Sequence, residues 1–313
     1  MFIKDRAAAS RRLVEKLTSF SAGMVDMVML DQGQLRLLQA NGARPRHRLH
    51  PQGMEVDWET GLLYITAVEV IDERDKKSGY PGRGRAHLFE CNVEGETIRS
   101  ITLTSDNEAE YHPSGMVLVD GTMFIALAQY LPDTSATIIK FDVRKWTYEK
   151  LFCVQDHIGL VIPNPVNGEL FLGTWGSRHY YHTDLNGSIK SKRATPCSDT
   201  MEHQDAQLIG ASMGDHNNTL VEAPMILATG VTAGGMEYFG LEIVDVASWT
   251  IKTSLRWPSA QYMTKGGWAP FANPSFLWVD SRDRVLALAT PDDDHEQLGK
   301  DATLVLYTLR MRE

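Results

Sequence analysis

The segment His50-Pro51-Gln52-Gly53-Met54 recurs as His112-Pro113-Ser114-Gly115-Met116, and each copy precedes a turn and a run of β-branched and aromatic residues. These runs occupy 62–66 and 122–127. Three related starts, each a polar residue ahead of such a run, occur at His157, His203 and Asn273. Short apolar runs separated by Gly, Asp, Asn and Pro are typical of strands and turns. The repeats therefore predict an all-β protein.

Further strands complete each repeat. Third strands are predicted at 86–90, 137–142, 241–245 and 303–307, and fourth strands at 97–101 and 250–255. Four-stranded units of about this length are typical of β-propeller blades. The five starts predict five blades. Six blades are the alternative, if the long unit at 203–273 contains a further blade or the N-terminal region forms one.

The last repeat lacks a fourth strand of its own. Residues 24–30, Met-Val-Asp-Met-Val-Met-Leu, are expected to supply it and to close the ring. This predicts one propeller domain over 24–313, preceded by an N-terminal helix and lead-in over 1–23. The helix is predicted over 4–19, where apolar residues recur at helical spacing among charges. Packing of this helix on the propeller is preferred over contact with an acidic membrane surface.

Composition excludes several classes of function. The 313 residues contain 31 Lys and Arg against 40 Asp and Glu, a net charge of −9, which argues against nucleic acid as a partner. The sequence contains no run of 18 apolar residues, so no membrane span is predicted. No apolar signal core precedes the body of the chain, so a cytoplasmic location is expected. The three scattered cysteines, Cys91, Cys153 and Cys197, are expected to be free thiols. The oligomeric state stays open.

Polar residues at equivalent strand ends should converge on the propeller axis, because the first strand of each blade lines the central channel. The strand starts place His50, His112, His157 and His203 there, and the ends of second strands add Glu69, Gln129, Tyr130 and Trp175. Histidine takes and gives protons near neutral pH. The candidate catalytic groups are therefore His157, Asp156, His50 and His112. The alternative for each histidine is that it caps a turn or bonds a neighbouring blade.

Other site chemistries are less favoured. The sequence contains no HxxxH, no CxxC and no clustered carboxylate ligand set, so no metal and no cofactor are expected. It also lacks the GxSxG turn of serine hydrolases. Aromatic and methionine residues near strand ends, Met263, Trp268 and Phe271 among them, suit a planar apolar ligand. Packing between blades is the alternative for each of these residues.

Seven motifs together resemble those of a little-characterised propeller family of bacterial and fungal proteins, labelled as a domain of unknown function. The motifs lie at 50–54, 68–71, 82–89, 111–115, 156–159, 174–178 and 203–207. The family is grouped loosely with six-bladed propellers of the gluconolactonase-like and strictosidine-synthase-like kinds. The resemblance covers roughly residues 48–310, and it weakens at 261–267, where a His-rich stretch is expected.

The family members with an assigned activity are fungal hetero-Diels–Alderases of tropolonic sesquiterpene biosynthesis, and this chain resembles them. The resemblance implies a cofactor-free cyclase. A tropolone alcohol would lose water to give an o-quinone methide, and a terpene alkene of the humulene type would add to it and close a dihydropyran ring. The expected partners are these small molecules. Repeat phase and resemblance together nominate a set of substrate-binding residues: Glu69, Gln129, Tyr130, Trp175, His203, Gln204, Met263, Trp268 and Phe271.

Two other classes of function remain as alternatives. One is a metal-dependent lactonase or hydrolase of the gluconolactonase-like type, which would need a bound divalent cation. The other is a non-catalytic binding or scaffold propeller, which should carry a large apolar patch outside the channel.

Overall fold

A computed structural model describes most of the chain. The described residues are 6–20, 25–57, 60–164, 167–196, 201–209, 224–232, 237–264, 267–291 and 301–312. Cys197 and the middle of the 261–267 segment lie outside these ranges. Cys91, which is buried, and Cys153, which is exposed, are free thiols. In the ranges given, no helix is long and apolar enough to cross a membrane.

The described strands form five sheets arranged as a five-bladed β-propeller, which confirms the blade count predicted from the repeats. The N-terminal elements are helix α1 (Arg6–Ser19) and strand β1 (Val25–Leu35). Blade 1 contains β2 (Arg48–Val56), β3 (Leu63–Asp72), β4 (Arg83–Cys91) and β5 (Thr97–Thr102). Blade 2 contains β6 (His112–Pro113), β7 (Leu118–Val119), β8 (Thr122–Ala128), β9 (Ala136–Asp142) and β10 (Thr147–Val154).

The remaining blades follow the same antiparallel order from the axis outward. Blade 3 contains β11 (Ile158–Pro163), β12 (Leu170–Thr174), β13 (His179–Thr183) and β14 (Ile189–Ala194). Blade 4 contains β15 (Met201–Ile209), β16 (Met225–Thr232), β17 (Tyr238–Asp245) and β18 (Thr250–Pro258). Blade 5 contains β19 (Ser275–Val279), β20 (Val285–Ala289) and β21 (Ala302–Met311), with β1 as its outer strand. Two short 3₁₀ turns occupy Trp175–Ser177 and Ser259–Gln261.

Strand β1 closes the ring. It pairs antiparallel with β21, from Val25 opposite Met311 to Leu35 opposite Ala302. Blade 5 therefore takes its outer strand from the start of the chain and its three inner strands from the end. This closure joins residues that are far apart in sequence.

Helix α1 confirms the predicted N-terminal helix and packs on the propeller. Leu13 and Leu17 are buried in the core shared by blades 4 and 5. Arg12 makes two hydrogen bonds to the carboxylate of Asp283, at 2.8 and 2.9 Å. Asp283 lies in the turn after β19, at the opposite end of that strand from Asn273. The helix thus covers the end of the propeller that faces away from the recurring strand starts.

The inner strands are irregular directly after the recurring polar residues. Strands β2, β11 and β15 each show a register shift typical of a β-bulge, between Pro51 and Gly53, between Ile158 and Leu160, and between His203 and Asp205. In blade 2 the inner strand is interrupted between β6 and β7. A bulge adds one residue to a strand and re-aims the side chains beyond it. The inner strands of blades 1 to 4 are therefore irregular just inside the channel mouth.

The glycines of the recurring motif permit close packing at the axis. A Cβ on Gly53 would lie 2.8 Å from the Cα of Gly115. A Cβ on Gly115 would lie 2.7 Å from Asp205 Oδ1 and 2.7 Å from Leu160 Cδ2. Inner strands of four blades therefore approach one another closely at this level.

Asp205 joins these strands. Its carboxylate accepts hydrogen bonds from the backbone N–H groups of Met54 (3.1 Å), Ser275 (3.3 Å) and Ala206 (2.9 Å), which belong to blades 1, 5 and 4. The side chain is fully buried, and burial raises the pKa of Asp205 well above its ordinary value, although the three amide donors oppose that rise. One buried carboxylate thus links the inner strands of three blades at this level.

We expect Gly115→Ala to destabilise the protein by roughly 1–3 kcal/mol, because the added methyl group would overlap Asp205 Oδ1 and the Leu160 side chain. The measurement is the free energy of unfolding in urea. Gly33→Ala is the control, since nothing lies within 4 Å of a Cβ at Gly33, and it should change stability by about 0.5 kcal/mol or less. Equal effects of the two variants would contradict the close packing at the axis.

Candidate functional site

Polar and aromatic side chains of three blades meet at the end of the propeller where the inner strands begin. His112 opens β6, His157 directly precedes β11, and Tyr130 and Trp175 follow the second strands β8 and β12. First and second strands of a blade are antiparallel, so the start of one and the end of the other share an edge. Arg74 reaches the same place from the segment between β3 and β4.

Four rings form a continuous group, here called the ring cluster: His112, Tyr130, His157 and Trp175. His112 stacks on Tyr130, with ring centroids 4.0 Å apart and planes 22° apart. The centroids of His112 and His157 are 5.6 Å apart, and the Trp175 ring meets His157 edge-on at 4.5 Å. The structure therefore brings together two of the histidines and two of the aromatic residues predicted to line the channel.

Arg74 lies against the ring cluster. Its guanidinium carbon is 3.9 Å from the centroid of Tyr130 and 4.7 Å from that of Trp175, which is cation–π geometry. Arg74 was not among the predicted site residues, because it lies outside the strand repeats that identified the others.

The His157 imidazole is held in one tautomer. Its Nδ1 lies 2.6 Å from the backbone carbonyl oxygen of Gln129. A carbonyl oxygen only accepts, so Nδ1 carries the proton and Nε2 of the neutral ring is left as an acceptor. Burial lowers the pKa of His157 to about 4. The hydrogen bond to the Gln129 carbonyl opposes this shift, whereas the positive charges of Arg74 and Arg178 add to it. His157 is therefore neutral at pH 7.

Asp156 does not orient that imidazole. Its Oδ1 accepts the backbone N–H of His157 at 2.9 Å, and its Oδ2 accepts the hydroxyl of Tyr181 at 3.0 Å. The backbone carbonyl of Gln129, and not the candidate catalytic residue Asp156, therefore orients the imidazole of His157.

His112 is buried, and neither of its ring nitrogens has a hydrogen-bond partner among the residues that the structure describes. Burial lowers the pKa of His112 well below the ordinary value, and His157, His50 and Arg74 lower it further. His112 is thus a second neutral imidazole. The influence of His50 also places that residue near the cluster, and His50 is half-buried at the start of β2.

Glu202 lies beside the ring cluster. A Cβ on Gly176, the residue after Trp175, would lie 3.2 Å from Glu202 Oε1. The Glu202 side chain is half-buried in β15, and burial raises the pKa of Glu202, with Lys76 opposing that rise. Glu202 was not predicted, because the repeat pattern pointed to its neighbour His203.

His203 faces away from the ring cluster. Its Nε2 donates to Glu242 Oε2 at 3.0 Å, which leaves Nδ1 to accept the hydroxyl of Tyr180 at 3.2 Å. All three residues are buried where blades 3 and 4 meet. This placement matches the alternative in which a strand-start histidine bonds a neighbouring blade.

Glu69 is likewise held in a polar network of its own. Its carboxylate accepts hydrogen bonds from Arg85 (3.0 Å), His47 (3.0 Å) and His87 (3.2 Å). Burial alone would raise the pKa of Glu69, but these donors, His87 foremost, lower it to about 2. Glu69 therefore has a saturated set of partners within blade 1 and its flanks.

The other predicted substrate-binding residues are spread more widely. The Gln129 side chain donates to Ser135 Oγ at 3.0 Å, and half-buried Gln204 occupies the bulge of β15. Phe271 is fully buried in the core of blades 4 and 5, Trp268 packs against that core, and Met263 is exposed. Packing between blades thus accounts for Phe271 and Trp268. No group of three His, Cys, Asp or Glu side chains is arranged to hold a metal ion in the part of the chain described.

The chain belongs to a family of unknown function (DUF6454), whose model matches residues 39–312. Among curated proteins, none matches the chain. Its fold is similar to that of a Bacteroides caccae protein of unknown function, at 10% identity and a TM-score of 0.44 over 90% of this chain and 88% of that one.

Two further solved structures are similar in fold. A family 117 glycoside hydrolase from Zobellia galactanivorans is 11% identical, with a TM-score of 0.45 over 93% of this chain and 91% of that one. The tail fibre of Staphylococcus aureus phage P68 is 11% identical, with a TM-score of 0.49 over 96% of this chain, which spans only 56% of the fibre chain.

We expect the stability of the protein to fall as pH drops from about 6.5 to 4, in part through His157. The unfolded chain binds a proton at this residue below about pH 6.5, whereas the folded state does so only below about 4, so acid favours unfolding by on the order of 3 kcal/mol. In His157→Asn, the side-chain amide N–H can still donate to the Gln129 carbonyl, but the side chain no longer takes up a proton between pH 7 and pH 4. The stability gap between wild type and variant, measured by urea unfolding, should therefore shrink by about that amount between pH 7 and pH 4. A gap that stays constant with pH would contradict the neutral buried imidazole.

Proposed function

We propose that the protein is a cofactor-independent pericyclase that acts on a hydroxymethyl tropolone. It would assist loss of water to the o-quinone methide and then direct the hetero-Diels–Alder addition of a sesquiterpene alkene of the humulene type. The observation that carries this proposal is that His157, whose Nε2 is left as a proton acceptor, meets Trp175 edge-on, while Glu202 lies against the next residue, Gly176. Burial keeps His157 unprotonated at neutral pH and raises the pKa of Glu202. Environments that push two pKa values apart in this way are typical of acid–base pairs.

The dehydration step follows from these two roles. Glu202 gives a proton to the departing hydroxyl as the exocyclic C–O bond breaks, and the product of that bond cleavage is water. His157 Nε2 takes the proton of the ring hydroxyl, which leaves a neutral o-quinone methide. Exchange with solvent returns the proton from His157 and restores the acid form of Glu202. General acid–base assistance of this kind contributes about 10²–10⁴-fold in rate.

The addition step needs position rather than proton transfer. The oxygen and the exocyclic carbon of the quinone methide each form one bond to the alkene, and no atom is lost. The Tyr130 and Trp175 rings, whose centroids are 5.7 Å apart and whose planes are inclined by 41°, would line the position of the planar diene. Holding two reactants together is worth up to roughly 7–11 kcal/mol. Aromatic walls would also exclude the water that otherwise captures the quinone methide.

Replacing the proposed acid should slow dehydration alone. We expect Glu202→Gln to reduce formation of the quinone methide by about 10²–10⁴-fold, since the amide cannot protonate the leaving hydroxyl. Quinone methide generated from a separate precursor should still be converted by this variant at the wild-type rate. Glu94→Gln, at an exposed turn of blade 1, is the matched control and should leave both rates unchanged. Wild-type dehydration by Glu202→Gln would remove Glu202 from the mechanism.

Replacing an aromatic wall should change the product instead. We expect Trp175→Ala to form the quinone methide but to release hydrated by-product or mixed stereoisomers, because the diene has lost a stacking surface. The assay is chiral chromatography of products from tropolone alcohol and humulene. If Trp175→Ala and His157→Asn both retain the wild-type rate and one stereoisomer, the site lies elsewhere in the protein.

Exhaustive chelation distinguishes this proposal from the lactonase alternative. We expect the pericyclase activity to survive EDTA, because no step described above uses a metal ion. Turnover of a lactone that disappears with EDTA and returns on addition of calcium or zinc would replace the proposed function with a metal-dependent hydrolase.

A further inference from the structure

Two buried polar groups at the ring cluster lack partners. Arg74 Nη1 is buried with no hydrogen-bond partner among the described residues, and so are both ring nitrogens of His112. Buried polar atoms in folded proteins are nearly always hydrogen-bonded, so a group of three unsatisfied ones calls for an explanation. The two side chains are close enough for the charge of Arg74 to lower the pKa of His112, and both lie against the ring of Tyr130.

The carboxylates beside Arg74 in sequence are engaged elsewhere. Asp72 pairs with Arg83 at 2.9 Å, and Glu73 pairs with Arg48 at 2.9 Å. Asp75 accepts the backbone N–H of Lys77 within its own turn. Across the described ranges, no carboxylate forms an ion pair with Arg74, whose contacts are the two aromatic faces. Its positive charge is therefore available to a ligand.

The groups around the Arg74 guanidinium limit the class of ligand that could bind there. The guanidinium is a planar fork that pairs with two oxygens of one anion, and it lies over Tyr130 and Trp175. A ligand that meets this fork with two coplanar oxygens places its own ring beside Tyr130 and Trp175. His112 can donate from one ring nitrogen and accept at the other, because the ring is neutral.

We infer that Arg74 and His112 form a binding site for a planar aromatic oxyanion that carries two adjacent oxygens, such as a tropolonate or an arenecarboxylate. The inference rests on the proposed function in that the same ring cluster would hold the tropolone substrate, and it specifies which groups hold the substrate oxygens once the ring hydroxyl is deprotonated. Arg74 neutralises the charge of that oxyanion, and the N–H of His112 donates to one oxygen. In the dehydration step these two residues stabilise the oxyanion that forms as His157 Nε2 takes the proton of the ring hydroxyl.

The test is direct binding of small probes to the full chain in the presence of EDTA. Tropolone at pH 8, where it is ionised, and benzoate are titrated by calorimetry and by quenching of tryptophan fluorescence, with tropolone methyl ether as the neutral probe. We expect Arg74→Gln to weaken tropolonate and benzoate binding by about 10–100-fold, the usual effect of losing a charge-assisted hydrogen bond. Arg83→Gln, an exposed arginine near the same segment, should bind as wild type does. Binding of the methyl ether should be weak and equal in all three proteins.

His112→Phe keeps a ring against Tyr130 but removes both nitrogens, and it should weaken tropolonate binding by about 10-fold. Thermal unfolding of each variant establishes that it is folded. Equal tropolonate binding by wild type and Arg74→Gln would overturn the inference, as would tighter binding of the methyl ether or no binding of any anionic probe at millimolar concentration. Arg74-dependent binding without cyclisation would support the inference while the proposed function fails. Cyclisation unchanged in Arg74→Gln would leave the function standing and overturn the inference.

Discussion

The close approach of inner strands at the axis is the constraint on which this propeller depends. Gly53 and Gly115 let blades 1 and 2 come within contact distance, and Asp205 then bonds blades 1, 4 and 5 through their backbone N–H groups. A side chain at either glycine would hold these strands apart. The buried Asp205 carboxylate lies where these strands meet and connects them by hydrogen bonds.

Closure of the channel determines where a site can form. Helix α1 packs over the opposite end of blades 4 and 5, while the recurring strand starts lie at the other end. Just inside this end the inner strands of blades 1 and 3 bulge and that of blade 2 is interrupted, and the recurring polar residues that precede these irregularities lie at the mouth. His112 and His157 occupy such positions. Within one motif, Gly115 therefore permits close packing at the axis, while His112, three residues earlier, belongs to the ring cluster.

Burial, rather than charge pairing, sets the chemistry of the ring cluster. His112 and His157 are both neutral because burial disfavours their charged forms, and Arg74 adds to this effect. The contrast with Glu69 is instructive, because three donors keep that equally buried carboxylate ionised. Polar groups with complete sets of partners stabilise the fold, whereas Arg74 and His112 retain bonding capacity. Unsatisfied groups are the ones able to act on a ligand.

The sequence by itself determined the β-propeller, the blade count and the helix, because strand periodicity and turn residues are local signals that repeat with each blade. It also identified His112, His157, Tyr130 and Trp175, since equivalent strand ends must share an edge. Only the tertiary structure distinguished these residues from His203. Beside the bulge in β15, His203 forms hydrogen bonds with Tyr180 of blade 3 and Glu242 of blade 4. Arg74 and Glu202 also required the tertiary structure. Arg74 lies between strands, so the strand repeat does not predict its position. The direction of the Glu202 side chain, beside a bulge, depends on how neighbouring blades pack.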